Sequence, residues 1–160
     1  MVQPLIIALD FPKAEIALDF VKQFPTSEQL FVKVGMELYY QAGPTIIREL
    51  QALGCQIFLD LKLHDIPHTV EQAATVIGQL GVDLTTIHAA GGQKMMQAAV
   101  AGIATGAKKA NVRPAKVLAI TQLTSTSEQM LHQELNINTS LTDSVDHLAQ
   151  LAAASHVDGV

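Results

Sequence analysis

The sequence has few of the features that mark secreted, membrane-bound or nucleic-acid-binding proteins. Cys55 is the single cysteine in 160 residues, so an internal disulfide cannot form, which is typical of cytosolic proteins. Ten Lys and Arg against fifteen Asp and Glu give a net charge of −5, which argues against a broad surface for nucleic acid. The apolar run Leu5–Leu9 stops at Asp10 and is too short for a signal peptide or a membrane span. We therefore expect a cytoplasmic protein with no nucleic-acid or membrane partner.

Aromatic residues are also scarce, at 4% with no Trp, and the apolar 49% comes mainly from Ala, Leu, Ile and Val. Such a composition suits parallel strands that helices bury on both faces. The length is enough for one domain, and no Gly/Ser-rich stretch marks a boundary. We predict a single domain over residues 1–160.

Short apolar runs alternate with longer amphipathic stretches. The runs predict strands at Pro4–Leu9, Leu30–Val34, Gln56–Leu61, Leu84–Ile87 and Lys116–Ile120, with the start of a sixth at Val157–Val160. The stretches predict helices at Lys13–Gln23, Met36–Leu53 with a break at Gly43-Pro44, Pro67–Gln79, Gln93–Thr105 and Ser140–Ala153. About five βα units in succession predict a parallel sheet with right-handed crossovers. Two α/β architectures fit: a doubly wound open sheet, or an incomplete (β/α)8 barrel.

Polar residues stand where the predicted strands end. They are Asp10, Lys33, Asp60, Lys62, Asp65, His88, Thr121 and Thr124. In a parallel α/β fold the carboxyl ends of the strands lie on one rim, where ligands bind. Lys33 lies between Val32 and Val34, and an unpaired buried charge there would be strongly destabilising. The pattern therefore predicts a charged site on this rim.

Asp60 and Lys62 are two residues apart on a strand, so their side chains are expected to point the same way. Lys33 on the neighbouring strand and Asp65 nearby extend the pair into a cluster of alternating charge. A protonated lysine can act as a general acid, and a fixed carboxylate can repel a negatively charged substrate group. The alternative is a purely structural ion-pair network.

The segment Asp60-Leu61-Lys62-Leu63-His64-Asp65-Ile66-Pro67-His68-Thr69 resembles the D-x-K-x-x-D-I-P-x-T pattern of the orotidine 5′-phosphate decarboxylase family. Four other segments resemble the family's first, second, fourth and fifth strands: Leu9-Asp10, Phe31–Gly35, Thr86–Gly92 and Leu118–Ser125. The motifs stand in the family's order along the whole chain. The resemblance implies a (β/α)8 barrel.

The resemblance also implies a reaction, the loss of CO2 from orotidine 5′-phosphate to give UMP in pyrimidine biosynthesis, without a metal or organic cofactor. Lys62 would donate the proton to C6 of the pyrimidine. Asp60 would lie against the substrate carboxylate. Lys33 would hold Asp60 and contact the ribose.

The family's members are homodimers, and the resemblance implies that two residues reach the neighbouring subunit's site. Asp65 would complete the charge array there, and Thr69 would approach the ribose hydroxyls. Asp10 would bind ribose, Thr124 would contact the pyrimidine edge, and Ile66 would contribute to substrate binding.

Two other functions stay open. The same superfamily contains 3-keto-L-gulonate 6-phosphate decarboxylases and hexulose-phosphate synthases, which share the D-x-K-x-x-D strand. These enzymes carry an acidic Mg²⁺ ligand where this chain has Lys33, and a lysine there opposes a divalent cation. The second alternative is an inactive fragment of the barrel.

The family's barrel has eight strands, whereas this sequence stops in the sixth. We expect roughly 70–80 residues of the barrel to be missing, among them the loops that grip the 5′-phosphate. Activity is then expected to be severely impaired, since binding energy from the phosphate supports the chemistry. Two exposed sheet edges are expected where the barrel would close.

His64 and His68 are four residues apart and suggest a zinc site, but Pro67 argues against one continuous helix through both. Gly91-Gly92 before a helix suggests an anion cradle, although a simple turn is the preferred interpretation. Cys55 and the pair Met95-Met96 are predicted to be packing residues.

Overall fold

Five parallel strands form one sheet in the computed structural model, which describes residues 5–25 and 29–160. The strands are β1 (Ile6–Ala8), β2 (Phe31–Gly35), β3 (Gln56–Leu63), β4 (Leu84–His88) and β5 (Lys116–Ile120). Their order in the sheet follows their order in the chain, β1-β2-β3-β4-β5. A doubly wound sheet reverses its strand order at a switch point, so this order is that of a barrel wall. Pro4, the first residue of the first predicted strand, lies outside the described residues.

The helices follow the strands in βα units. They are α1 (Ala14–Val21), α2 (Met36–Ala42), α3 (Thr45–Ala52), α4 (Pro67–Gln79), α5 (Gln93–Ala110), α6 (Glu128–Gln133) and α7 (Leu141–Ala154). The predicted bounds of α4 and β5 are confirmed, as is the break at Gly43-Pro44. None of the helices in the described part of the chain has the length and hydropathy that crossing a membrane requires.

The structure differs from the predicted helices in two places. It contains α6, which was not predicted. This helix is six residues long and follows the N-cap Ser127, whose hydroxyl accepts a hydrogen bond from the Met130 amide. α5 was predicted to end at Thr105 and instead runs to Ala110, with Asn111 in the left-handed conformation as its C-cap. Gly106 does not break α5 because the helix uses that glycine for packing.

Glycines bring α4 and α5 into close contact. A Cβ on Gly102 would collide with the carbonyl oxygen of Glu71, and one on Gly106 with that of Thr75. On α4, a Cβ on Gly78 would collide with the carbonyl oxygen of Ile103. Only glycine permits this approach of two helix backbones. The two helices therefore pack as a unit, and α5 in turn packs against β4 and β5.

The sheet has two faces with different surroundings. The helix-covered face consists of residues at 0–1% exposure: Val32, Val34, Ile57, Leu59, Ile87, Val117 and Ala119. The alternate residues form the inner face, which corresponds to the barrel interior and is half-buried: Phe31, Lys33, Gln56, Phe58, Asp60, Leu84, His88, Leu118 and Ile120. These inner-face residues therefore remain partly accessible, whereas Thr86 on the same face of β4 is fully buried.

Residues 157–160 begin to pair alongside β5, as predicted for the start of a sixth strand. Leu118 and Gly159 form an isolated parallel bridge. The Asp158 amide donates to the Val117 carbonyl at 2.9 Å, and the Ala119 amide donates to the Gly159 carbonyl at 2.9 Å. The edge of β5 is therefore paired at these positions.

Two aspartates in this sheet, Asp83 and Asp158, each make two hydrogen bonds to a residue of the neighbouring strand. Asp83 donates its amide to the Ile57 carbonyl at 2.9 Å, and its carboxylate accepts from the Ile57 amide at 2.8 Å. Asp158 makes the same two contacts with Val117. The repeated arrangement sets the register of successive parallel strands.

Candidate active site

A cavity of about 220 Å³ opens at the carboxyl ends of β1, β2 and β3. Its lining residues are Leu9, Asp10, Lys33, Gly35, Met36, Glu37, Leu38, Asp60 and Lys62. The parallel register brings these residues together, since Gly35 pairs with Asp60 and Lys33 with Phe58. The rim expected from the sequence is therefore a real concave site.

Four of the predicted site residues form a line of alternating charge. The Lys62 ammonium lies 2.8 Å from both oxygens of the Asp60 carboxylate. Lys33 Nζ lies 3.8 Å from Asp60 Oδ2 and 3.3 Å from Asp10 Oδ1. The structure thus brings Asp10, Lys33, Asp60 and Lys62 together within one chain.

Asp60 is the most buried member of this line, with a side chain 12% exposed. Burial by itself raises the pKa of the Asp60 carboxyl. Hydrogen bonds from Lys62 and Thr86, with the positive charges of Lys62 and Lys33, outweigh burial and lower this pKa below its ordinary value. Asp60 is therefore a carboxylate at neutral pH, enclosed by two ammonium groups.

The backbone at Lys62 departs from a regular strand. Its φ is +52°, and the register between β3 and β4 shifts between Leu59 and Leu63. A bulge of this kind re-aims a side chain and is common next to active sites. Asp60 and Lys62 were expected to point the same way because they are two residues apart on a strand. Their side chains do meet, but the backbone between them is irregular, which the sequence analysis did not predict.

Thr86 on β4 is a site residue that the sequence analysis did not single out. Its side chain is fully buried, and its hydroxyl donates to Asp60 Oδ1 at 2.8 Å. The same hydroxyl accepts from the Lys62 amide at 2.9 Å. Thr86 precedes the noted His88 by two residues, which places both on the inner face, and this spacing was the available signal.

The structure does not bring Asp65 into the charged line. Asp65 is exposed in the loop before α4, and its carboxylate accepts from the Ile66 amide at 2.6 Å. Within residues 5–25 and 29–160, no ion pair includes Asp65. The side chains of Ile66, Thr69 and Thr124 also lie in exposed positions. In one chain these four residues face solvent, and none of them is among the lining residues of the cavity.

The ring of His88 packs against that of His64 in a tilted arrangement. Their ring centroids are 5.4 Å apart at an interplanar angle of 40°. Burial lowers the pKa of His88, and the charges of His64 and Lys62 lower it further against the opposing effect of Asp60. His88 is therefore neutral at neutral pH.

The sequence also suggested a zinc site at His64 and His68 and an anion cradle at Gly91-Gly92. His64 and His68 do not join a group of three or more metal-binding side chains in the described part of the chain. Gly91 ends a 3-10 turn, where a Cβ would collide with the side chain of Met95 and lie 3.3 Å from His64 Cδ2. Met95, Met96 and Cys55 are buried, as predicted.

Comparison with known proteins supplies a family for this arrangement. The sequence profile of the orotidine 5′-phosphate decarboxylase / HUMPS family matches residues 3–160. The chain is 62% identical over 160 residues to the orotidine 5′-phosphate decarboxylase of Latilactobacillus sakei, covering 100% of the chain and 67% of the relative. It is 56% identical to that of Lactiplantibacillus plantarum, covering 100% of the chain and 68% of the relative. The chain thus spans about two thirds of the length of these relatives.

Solved structures agree with the fold. The orotidine 5′-phosphate decarboxylase of Lactobacillus acidophilus superposes with a TM-score of 0.93 at 41% identity, over 99% of this chain and 70% of that one. The enzyme from Methanocaldococcus jannaschii, in complex with the inhibitor BMP, gives a TM-score of 0.73 at 26% identity, over 99% of this chain and 66% of that one. The five βα units described above are thus part of a (β/α)8 barrel.

Proposed function

The chain belongs to the orotidine 5′-phosphate decarboxylase / HUMPS family, and we propose that its charged site converts orotidine 5′-phosphate to UMP. One observation carries this assignment. A carboxylate and an ammonium, Asp60 and Lys62, meet at 2.8 Å on the floor of a cavity and are flanked by a second ammonium, Lys33. The reaction needs such a set, because the carboxylate leaves C6 as neutral CO2, the negative charge stays on C6, and a proton then takes the place of the carboxylate.

Asp60 supplies repulsion in the bound substrate. Its ionised carboxylate would lie against the carboxylate on C6 of the pyrimidine, and this repulsion ends when CO2 departs. An interaction that is unfavourable in the bound substrate and relieved in the transition state accelerates the reaction. The hydrogen bonds from Lys62 and Thr86 keep Asp60 ionised and in place.

Lys62 supplies the proton. When the bond from C6 to the carboxylate breaks, its electron pair stays on C6 and CO2 leaves. The Lys62 ammonium stabilises that developing charge and transfers a proton to C6, which gives UMP and a neutral amine. Lys33, between Asp10 and Asp60, fixes the carboxylate from the other side.

The substrate contacts and the dimer are part of the same proposal. Asp10 is assigned to the ribose, Thr124 to the pyrimidine edge, and Ile66 to substrate binding. Asp65 and Thr69 are assigned to the neighbouring subunit's site in a homodimer. Their exposure supports this, since both side chains are accessible to a second chain.

Lys33 favours the nucleotide decarboxylase over the Mg²⁺-dependent sugar-phosphate branch of the family. Its ammonium lies 3.8 Å from Asp60 Oδ2, where a divalent cation bound by that carboxylate would meet a like charge. The proposed reaction draws its charge and proton from side chains, so no cofactor is assigned. The single cysteine, buried and free, supports a cytoplasmic location.

Single-turnover decarboxylation tests the proposal. The purified chain, in excess over orotidine 5′-phosphate labelled with ¹³C in its carboxylate, is expected to release labelled CO2 and form UMP. Lys62→Ala is expected to lower the rate at least about a hundredfold, the range for loss of a general acid. Lys94→Ala removes an equal charge from an exposed position on α5 and is expected to keep the rate. Absence of UMP from the unsubstituted chain, or equal rates in both variants, would contradict the proposal.

A further inference from the structure

We propose that Thr86 is a positioning residue, whose hydroxyl holds both the Asp60 carboxylate and the irregular backbone of Lys62 in the arrangement that the site requires. The part of this inference that concerns turnover rests on the proposed function. The part that concerns the geometry and ionisation of Asp60 does not.

The hydroxyl of Thr86 both accepts and donates a hydrogen bond. It accepts a hydrogen bond from the Lys62 amide at 2.9 Å and donates one to Asp60 Oδ1 at 2.8 Å. A hydroxyl has one donor and two acceptor positions, and its hydrogen turns to suit its partners. Because the Lys62 amide occupies an acceptor position, the hydroxyl hydrogen is free to point at Asp60.

This contact replaces the one that the sheet loses at the bulge. The ladder between β3 and β4 is interrupted between Leu59 and Leu63, so a regular strand partner for the Lys62 amide is missing there. A buried amide without a partner is costly, and Thr86 provides one from the neighbouring strand. The left-handed conformation of Lys62, at φ +52°, is rare for a residue with a side chain and persists where its surroundings hold it.

The charged pair depends on this backbone. Lys62 reaches both oxygens of Asp60 at 2.8 Å from a position only two residues further along the same strand. Thr86 ties the Lys62 backbone and the Asp60 carboxylate to a single atom, so it fixes their relative placement. In the proposed reaction that placement sets the distance between the proton donor and the repelling carboxylate.

Thr85, the residue before Thr86 on β4, also has a buried hydroxyl but does not contact Asp60 or Lys62 through it. Thr85 is buried at 1% exposure, yet its hydroxyl has no hydrogen-bond partner among the described residues. It differs from Thr86 in facing the opposite side of the sheet. Thr85 therefore supplies a matched control, because the same substitution removes a hydroxyl that makes no such contact.

The test follows the titration of the Asp60 carboxyl by ¹³C NMR in four chains: unsubstituted, Thr86→Val, Thr86→Ser and Thr85→Val. Thr86→Val removes a hydrogen bond to the ionised form, so the Asp60 midpoint is expected to rise by about one pH unit. Thr86→Ser keeps the hydroxyl and is expected to restore the midpoint. Thr85→Val is expected to leave it unchanged.

The inference is overturned if Thr86→Val titrates with the unsubstituted midpoint, or if Thr85→Val moves the midpoint equally. Thr86→Ala gives the same reading without the added methyl group, should valine not be accommodated. In single-turnover assays at saturating substrate, Thr86→Val is expected to lower the rate at least about tenfold while Thr86→Ser recovers it. If the unsubstituted chain forms no UMP, the proposed function fails, and the Asp60 titration still decides the role of Thr86.

Discussion

The two faces of the sheet are built from alternate residues of the same strands and serve different ends. On the helix-covered face, Val32 and Leu59 have no exposed surface. On the inner face, the side chains of Lys33, Asp60 and Lys62 are 23%, 12% and 26% exposed. Helices exclude water from the first face, so an ionised side chain there would be strongly destabilising. The second face keeps enough water and enough opposite charge for ionised groups to remain.

The inner face carries different polar groups at the two ends of the strands. At the amino ends, a cavity of about 530 Å³ is lined by apolar residues such as Ile6 and Leu84, and also by Arg113, Lys116, Asp83 and Asp158. The carboxylates of Asp83 and Asp158 there bind backbone amides of the neighbouring strands. At the carboxyl ends, the charged residues line the smaller cavity of about 220 Å³. The contrast matches the general division of this fold, in which chemistry belongs to the carboxyl ends of the strands.

The largest expected effect is on the free energy of unfolding, when the same substitution, leucine to alanine, is made on each of the two faces. Leu59→Ala opens a cavity on the helix-covered face and is expected to lower the free energy of unfolding by about 2–5 kcal/mol. Leu84→Ala truncates a half-buried side chain of the inner face and is expected to lower it by about half that amount or less. Urea titrations followed by circular dichroism give both values. Equal losses would mean that the two faces do not differ in burial as described.

A smaller effect concerns acid stability. The folded-state pKa of Asp60 is depressed below its ordinary value of 3.8, so its contribution is present above that value and is lost as pH falls through the folded pKa. The difference in unfolding free energy between the unsubstituted chain and Asp60→Asn is therefore expected to grow from about pH 2 to pH 5, by on the order of 1 kcal/mol.

Asp19→Asn is the control for this measurement, because Asp19 pairs with Lys22 on the surface with its side chain 73% exposed. It is expected to follow the unsubstituted chain at every pH, since exposed ion pairs contribute little. A difference between the unsubstituted chain and Asp60→Asn that stays constant from pH 2 to pH 5 would contradict the assigned ionisation of Asp60.

The smallest effect concerns His88. Its folded-state pKa is lowered from 6.5, so the unfolded chain binds the proton more readily, and stability falls as pH drops below that value. His88→Gln is expected to flatten this dependence between about pH 7 and pH 5, by less than about 1 kcal/mol. His147→Gln, at an exposed position on α7, is expected to keep it. The same slope in both variants would show that His88 is not the group responsible.

Local signals predicted most of the fold. The bounds of α4 follow from Pro67 at its first turn and those of β5 from its apolar run. The end of α5 was missed because Gly106 resembles a helix terminus in sequence, and its close contact with Thr75 is a tertiary feature. α6 was missed because its six residues bury only Leu131 and so show no apolar periodicity.

Only part of the candidate site could be predicted from the sequence. The rule that parallel strands end on one rim was sufficient to group Asp10, Lys33, Asp60 and Lys62. It could not show the bulge at Lys62 or the contact with Thr86, since both depend on the register between β3 and β4. Pairing across strands is a long-range property that single residues do not reveal.

The most direct test of the central claim, that the substrate binds on the inner face at the carboxyl ends of the strands, is a titration of the isotope-labelled chain with UMP followed by amide NMR. Millimolar UMP is expected to shift the signals of Asp10, Lys33, Asp60 and Lys62. The signals of Val32 and Ile57, on the helix-covered face, are expected to stay unchanged, and Lys33→Ala is expected to weaken the response. Shifts spread over the helix-covered face, or no response to UMP in the folded chain, would contradict this placement of the substrate.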